Sequence, residues 1–473
     1  MPELDLLSLR RGTVTAPAGC GKTQLIADCL AAHSGHKPVL VLTHTNAGRS
    51  ALEARLVKAG VPKHVYRVAT IDSWSIRLIS SFPLRSGHDR AIEMLNHPVS
   101  DYIDIRKAAR TLLRSGDISD ALQATYSHLL VDEYQDCTVA QHNIIGWTAT
   151  VLPTCVLGDP LQAIFGFDEP TVDWTTNVHK IFPPVGELAT PWRWKNAGTE
   201  GLGTWLMTVR QLLLAGQPVD LRLAPEEVFW KLLPNEDGPA HKVRQEAAQT
   251  KPSTPDGAVL IIGDSKSPRS QRLMASQTFG ATTVEAVDLK DLTKFGREFD
   301  LADARALECL LSFAAELMTG VGKAELLRRM HVLGRGTARN EASVSESATL
   351  DFQRAPSFSL AQIVLRALED APNARVYRPE ALRVLRSAFA MASLGKCTFA
   401  EAVAQSRERN RHLGRPTIRR AVGSTLLLKG LEADTAVILN PELMDARHLY
   451  VALTRGARKL VVCSRTPILI PSP

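Results

Sequence analysis

Residues 11–32 read RGTVTAPAGCGKTQLIADCLAA: a β-branched run, a small-residue loop ending Gly-Lys-Thr, and a stretch of helical period. A strand that turns through such a loop directly into a helix needs a sheet beside it, because the helix must bury its apolar stripe on a sheet face. The turn also aims backbone N–H groups and a helix N-terminus at one point, which is the geometry of a phosphate cradle. The spacing G-x-x-x-x-G-K-[ST] calls for glycine where this chain has Ala16, and Pro17 follows it. In this reading Ala16, Pro17, Ala18, Gly19, Cys20, Gly21, Lys22 and Thr23 form a nucleotide-binding loop. Lys22 supplies a point charge to phosphate and the Thr23 hydroxyl a ligand for Mg²⁺.

Other short apolar runs recur between helical stretches, the signature of a parallel α/β sheet. The first half predicts strands in PVLVLTHT, VYRVAT, HLLVDE, TCVLGD and GELATP; a later group lies in AVLIIGD, TTVEAVDL, GSTLLLKG, TAVILN and KLVVCSR. Two α/β units are expected in 473 residues, too many for one small core. Residues 235–256 are polar and turn-rich and read as a loop. Residues 301–412 are helical in pattern, with the Ser- and Arg-rich stretch 334–357 inside them read as irregular. The predicted division is 1–190 with a small insertion at 75–125, then 191–300, the helical insertion 301–412, and 413–473 returning to the second unit.

The composition excludes several classes. No run approaches about 18 apolar residues, so no membrane span is expected. Seven cysteines, an odd number without C-x-x-C pairs, argue against a disulfide frame or zinc site and for a reducing, cytoplasmic setting. The net charge of +7 allows nucleic acid without demanding it.

HLLVDEYQD (128–136) is an apolar strand ending in two carboxylates. Asp132 falls at the strand's carboxyl end, where a metal partner for Thr23 is needed, and Glu133 beside it suits orienting or deprotonating a water. VLGDPLQAIFGF (156–167) is another strand end, with Gln162 offering an amide to a γ-phosphate. Phe165 and Phe167 lie two apart and share a face if extended; stacking on bases and packing in a core both fit them. Arg455, near the end of the helical run DARHLYVALTRG, is placed to project toward a phosphate in the other unit, where an arginine neutralises transition-state charge.

Taken in order, these pieces resemble the UvrD/Rep family of superfamily 1 helicases, in a compact form with reduced inserted subdomains. That family's first motif begins with Ala, as APAGCGKT does here. THTNAGRSALEARL (43–56) resembles motif Ia, ATIDSW (69–74) motif Ib, VDEYQD motif II and GDPLQAIFGF motif III. TPWRW (190–194) resembles motif IV, STLLLKGLEAD (424–434) motif V and LYVALTRG (449–456) motif VI.

The resemblance implies two RecA-like P-loop NTPase domains, with ATP and Mg²⁺ bound in the cleft between them. It gives Lys22, Asp132, Glu133, Gln162, Arg193 and Arg455 catalytic roles, Thr23 and Asp132 the metal, and Glu432 a place near the nucleotide. His44, Thr45, Asn46, Phe165 and Phe167 would contact single-stranded or junction DNA, His44 standing where the family has a stacking Phe. The implied activity is 3′–5′ DNA translocation or unwinding driven by ATP hydrolysis. The chain departs from the family in lacking a glutamine ahead of the phosphate loop, in Leu426 of motif V and in Asp168 after the aromatics. Short helicase-like proteins of bacterial anti-phage systems resemble this format too, which implies a second reading: a DNA-sensing ATPase subunit that regulates a partner such as a nuclease.

Overall fold

The computed structural model describes residues 4–95, 97–165, 169–412 and 419–472. The chain divides into two compact units: Met1–Val228 with Glu442–Arg458 and Ile468–Pro473, and Phe229–Pro441 with Lys459–Pro467.

The first unit is built on six strands: β1 (Arg11–Thr15), β2 (Val39–Thr43), β3 (Tyr66–Thr70), β4 (Leu129–Val131), β5 (Thr154–Gly158) and β6 (Pro184–Glu187). Their order is β3-β2-β4-β5-β1-β6, and every pairing is parallel. β2 is buried along all five residues, as a central strand covered by helices on both faces must be. Alternate residues serve opposite faces. Leu40 and Leu42 pack in a core with Trp74, Ile105 and Leu112, whereas Val39 and Val41 pack with Ile26, Leu30, Leu52 and Leu56. Because all strands run one way, the loops leaving β1, β2, β4 and β5 gather along one edge of the sheet, where open α/β sheets bind ligands.

The second unit carries β7 (Val228–Leu232), β8 (Val259–Ile262), β9 (Thr282–Thr283), β10 (Arg420–Gly423), β11 (Ala433–Ile438) and β12 (Gly456–Ser464). Their order is β9-β10-β8-β11-β12-β7, with the pairs β9–β10, β10–β8 and β8–β11 parallel. The fold is therefore α/β with two RecA-like sheets and added helices. Between β9 and β10 stands a helical layer that includes Lys290–Glu298, Ala306–Leu317, Phe358–Glu369, Pro379–Ala392 and Phe399–His412. Phe295 stacks on Phe313 at 4.2 Å and Phe389 on Phe399 at 5.0 Å in its core.

Arg378, fully buried, ties that layer to the chain after β9. Its Nε donates to Glu285 at 2.7 Å and its Nη1 to Asp291 at 2.6 Å. Burial pushes the Asp291 carboxyl up, but Arg378 outweighs it and holds the group below its usual range. Arg378→Met is expected to lower stability by about 3 kcal/mol, since it leaves buried Glu285 only the more distant Arg272, at 3.8 Å, as counter-charge. A urea titration reads this, and adding Glu285→Gln should recover most of the loss.

Two segments that read as irregular form helices, Asp237–Ala248 and Val344–Arg354. Their polar composition hid short buried stripes, Ala240, Ala247 and Ala248 in one and Ala348, Thr349 and Phe352 in the other. A capping box between Ser343 and Glu346 starts the second. All seven cysteines are free. No helix among the described residues is long and apolar enough to cross a membrane.

Candidate active site

The loop Ala16–Gly21 leaves β1 and ends at the helix Lys22–Ala31. Gly19 and Gly21 take φ of 73° and 83°, in the left-handed region where a side chain is strained. A Cβ on Gly19 would also lie 2.6 Å from the Trp194 ring. Ala16 has no such requirement: its N–H continues the strand ladder, donating to Gly158 at 2.8 Å, with φ outside the positive range. Alanine therefore fits at the position where the common pattern has glycine.

Lys22, the first helical residue, reaches the carboxylates at the end of β4. Its Nζ lies 2.6 Å from Glu133 Oε1 and 3.1 Å from Asp132 Oδ1. Burial alone would lower the Lys22 ammonium; the charges of Asp132 and Glu133 outweigh it and hold the group above its ordinary value. Asp132 is fixed by β2, its N–H donating to Leu42 at 2.8 Å. Glu133 has φ 55°, an uncommon conformation for a non-glycine residue, of the kind that collects at functional sites. Thr23 follows Lys22 in the first turn, half-buried.

At the end of β5, Gln162 is buried and donates to Asp159 Oδ2 at 3.1 Å. Arg193 and Arg455 both lie in the first unit. The Arg193 N–H donates to Gly19 at 3.0 Å, and its guanidinium to the Thr454 carbonyl at 2.5 Å. Arg455 is buried, and its Nε donates to Val451 of its own helix, Ala446–Leu453, at 2.9 Å. Glu432 is exposed ahead of β11 in the second unit. The structure thus brings Lys22, Asp132 and Glu133 into direct contact, with Arg193 against the loop.

At the end of β2 the His44 and Phe165 rings meet, with centroids 5.8 Å apart and planes tilted by 44°. Both residues are half-buried. Thr45 caps the helix Asn46–Lys58, accepting from Gly48 N–H at 3.0 Å, and Asn46 is exposed in its first turn. Phe167 and Asp168 lie outside the described residues.

Several residues of the site were not legible as such. Tyr450, fully buried, accepts a hydrogen bond at 3.2 Å from the Ala18 N–H of the phosphate loop. Trp194 presses on Gly19 and donates to the Gly456 carbonyl at 3.0 Å. Arg210 sits below the loop between Asp159 (3.2 Å) and Glu187 (2.9 Å). Gln135 joins Glu133 to Asp159. Gln135, Trp194 and Tyr450 stood inside recognisable motifs; Arg210 had no sequence signal. Burial pushes the Cys20 thiol up to about 12, so this loop cysteine is a packing residue rather than a nucleophile.

Comparison with known proteins adds one specific finding. Residues 91–183, which span Asp132, Glu133 and Gln162, match the UvrD/REP helicase N-terminal domain. No curated protein matches the chain. Among solved structures, the Pif1 helicase from Candida albicans is similar at 10% identity and TM-score 0.40, covering 98% of this chain and 93% of that one. The arterivirus nonstructural protein 10 helicase, solved in complex with DNA, is similar at 10% identity and TM-score 0.35, covering 97% of this chain. This chain spans 63% of the length of that viral protein. At such scores neither likeness carries an argument about function. The family likeness is confined to the matched segment, whose acids the parallel sheet sets beside the phosphate loop. In residues 91–183 the chain is therefore similar to the UvrD/REP helicase N-terminal domain.

Proposed function

We propose that the chain is an ATP-hydrolysing motor that moves on single-stranded DNA. The observation that carries this reading is Lys22, held between Asp132 and Glu133 at the head of a left-handed glycine loop. The His44–Phe165 ring pair follows strands of the same sheet.

The β- and γ-phosphates of ATP would take the loop N–H groups and Lys22. Drawn to phosphate, the Lys22 ammonium leaves Glu133, whose carboxylate is then free to accept a proton. Water attacks the γ-phosphorus: its oxygen forms the new P–O bond, the bond to the bridging oxygen breaks, and ADP leaves with that electron pair. The water's proton passes to Glu133. The Thr23 hydroxyl and Asp132 carboxylate are hard oxygen donors, and Asp132 already holds a cation, the Lys22 ammonium, at 3.1 Å; the set suits Mg²⁺. Bound there, Mg²⁺ would neutralise charge on the β- and γ-oxygens. Gln162, after β5, and Arg193, whose N–H donates to Gly19 of the loop, are proposed to contact the γ-phosphate. Arg455, in the same unit as the loop, is proposed to join the site when nucleotide is bound.

His44 and Phe165 are proposed as stacking platforms for bases, with Thr45 and Asn46 at the helix N-terminus beside the strand's phosphates. Stacking recognises every base, so little sequence preference is expected. Replacing both His44 and Phe165 with Ala should weaken single-strand binding by at least about tenfold, from roughly 1–3 kcal/mol per stacked base. Fluorescence anisotropy with a labelled oligonucleotide measures this. Unchanged affinity would remove the rings from the strand site. A strand-displacement assay on duplexes with a 3′ or a 5′ tail tests the 3′–5′ polarity.

A further inference from the structure

The acids after β4 and the segment after β5 are joined by one buried amide. Gln135 is 1% exposed. Its Nε2 donates to Glu133 Oε2, and its Oε1 accepts from the Asp159 N–H at 3.1 Å. A Cβ on Gly158 would fall 2.4 Å from that Oε1, so the residue before Asp159 has no side chain to spare room for the amide. Beyond it, the Asp159 carboxylate is wholly buried and fully used: Oδ1 accepts from Leu161 N–H and Arg210, both at 3.2 Å, and Oδ2 from Gln162 at 3.1 Å. Arg210 is in turn held by Glu187 at 2.9 Å. A continuous chain of polar contacts therefore runs from Lys22 through Glu133, Gln135 and Asp159 to Gln162, and Phe165 of the ring pair stands three residues further on.

We propose that Gln135 is a positioning residue: it holds the Glu133 carboxylate where an attacking water is deprotonated, and it transmits movement of the Asp159–Phe165 segment to that carboxylate. The inference rests on the hydrolytic reading above and goes beyond it. Three observations support the role. Glu133 has a strained backbone that does not by itself fix its side chain. On the side away from Lys22, the Gln135 amide anchors the Glu133 carboxylate. That amide is oriented without ambiguity, because a carboxylate accepts only from its NH₂ and a backbone N–H donates only to its oxygen. A strand that shifts Phe165 moves Asp159, and Asp159 moves the amide. Gln135 itself touches no proposed phosphate contact, so its effect falls on turnover rather than on binding.

The test is steady-state ATP hydrolysis by Gln135→Glu in the full chain, with and without a poly-dT oligonucleotide. The substitution keeps size and shape but turns the donor to Glu133 into a repelling oxygen. The expected result is a fall in kcat of about 10²-fold, as for a misplaced catalytic group, with KM for ATP changed by less than about threefold. The kcat ratio with and without oligonucleotide should fall toward about one, while oligonucleotide affinity stays at the parent value. Parent-like kcat in folded protein overturns the proposal. So does a parallel loss of kcat and ATP affinity, which marks a merely structural amide. If Gln135→Glu does not fold, Gln135→Met, which keeps length and removes both polar atoms, is read the same way, and failure of both to fold also overturns the proposal. A parent chain that binds ATP without hydrolysing it overturns the hydrolytic reading itself, a different and separable result, and this inference falls with it.

Discussion

Purified Lys22→Ala protein is expected to hydrolyse ATP about 10³-fold more slowly than the parent, the effect of removing a preorganised charge from a phosphoryl-transfer site. Nucleotide binding should weaken with it, because the ammonium contacts phosphate in the ground state as well as in the transition state. The structure adds a second consequence. Lys22 is the counter-charge between Asp132 and Glu133, at 3.1 and 2.6 Å. Without it two carboxylates face one another, one of them nearly buried, at a cost of about 1–3 kcal/mol. Thermal melting should therefore show a modest loss that added Mg²⁺ partly restores, since a cation on Asp132 replaces the missing charge. A variant that hydrolyses ATP at the parent rate would remove the loop from the nucleotide site.

Glu133→Gln separates chemistry from binding. Turnover is expected to fall by about 10³-fold, the scale of removing a general base. ATP affinity should hold or rise, because the ion pair that Lys22 makes with Glu133 competes with phosphate and a neutral amide competes less. Equilibrium binding of a fluorescent ATP analogue, set beside turnover, distinguishes the two effects. Loss of affinity together with turnover would mean that Glu133 holds the lysine in place and takes no proton. Together the variants give opposite signatures at neighbouring atoms, binding and rate lost at Lys22 and rate alone at Glu133.

Much of this was legible before the fold. The strand–loop–helix at residues 11–31 and the run ending in Asp132 and Glu133 dictated parallel strands whose carboxyl ends share an edge, and β1 and β4 take those places. The contact of Lys22 with both acids follows from that edge. What the sequence withheld was whatever long-range packing decides. Arg210 is an ordinary arginine in a helix until β5 brings Asp159 beneath it. Tyr450 lies in the run LYVALTRG without a role of its own; it is buried, and its hydroxyl meets the Ala18 N–H across 432 residues of chain. The helices Asp237–Ala248 and Val344–Arg354 were hidden because only three residues in each are buried, too few to leave a clear period. Phe165 could stack or pack; in the fold it is half-buried and its ring meets that of His44.

The most direct measurement is ATP hydrolysis by the isolated chain, with and without single-stranded DNA, with Glu133→Gln as the blank. Turnover well above the blank, stimulated several-fold by the strand, is the predicted result, since the Asp159–Phe165 segment links the ring pair to the acids. Hydrolysis no faster than the blank would contradict the motor reading outright. Hydrolysis indifferent to DNA, or present only with a partner protein, would contradict the proposed translocase and fit a regulated ATPase subunit instead.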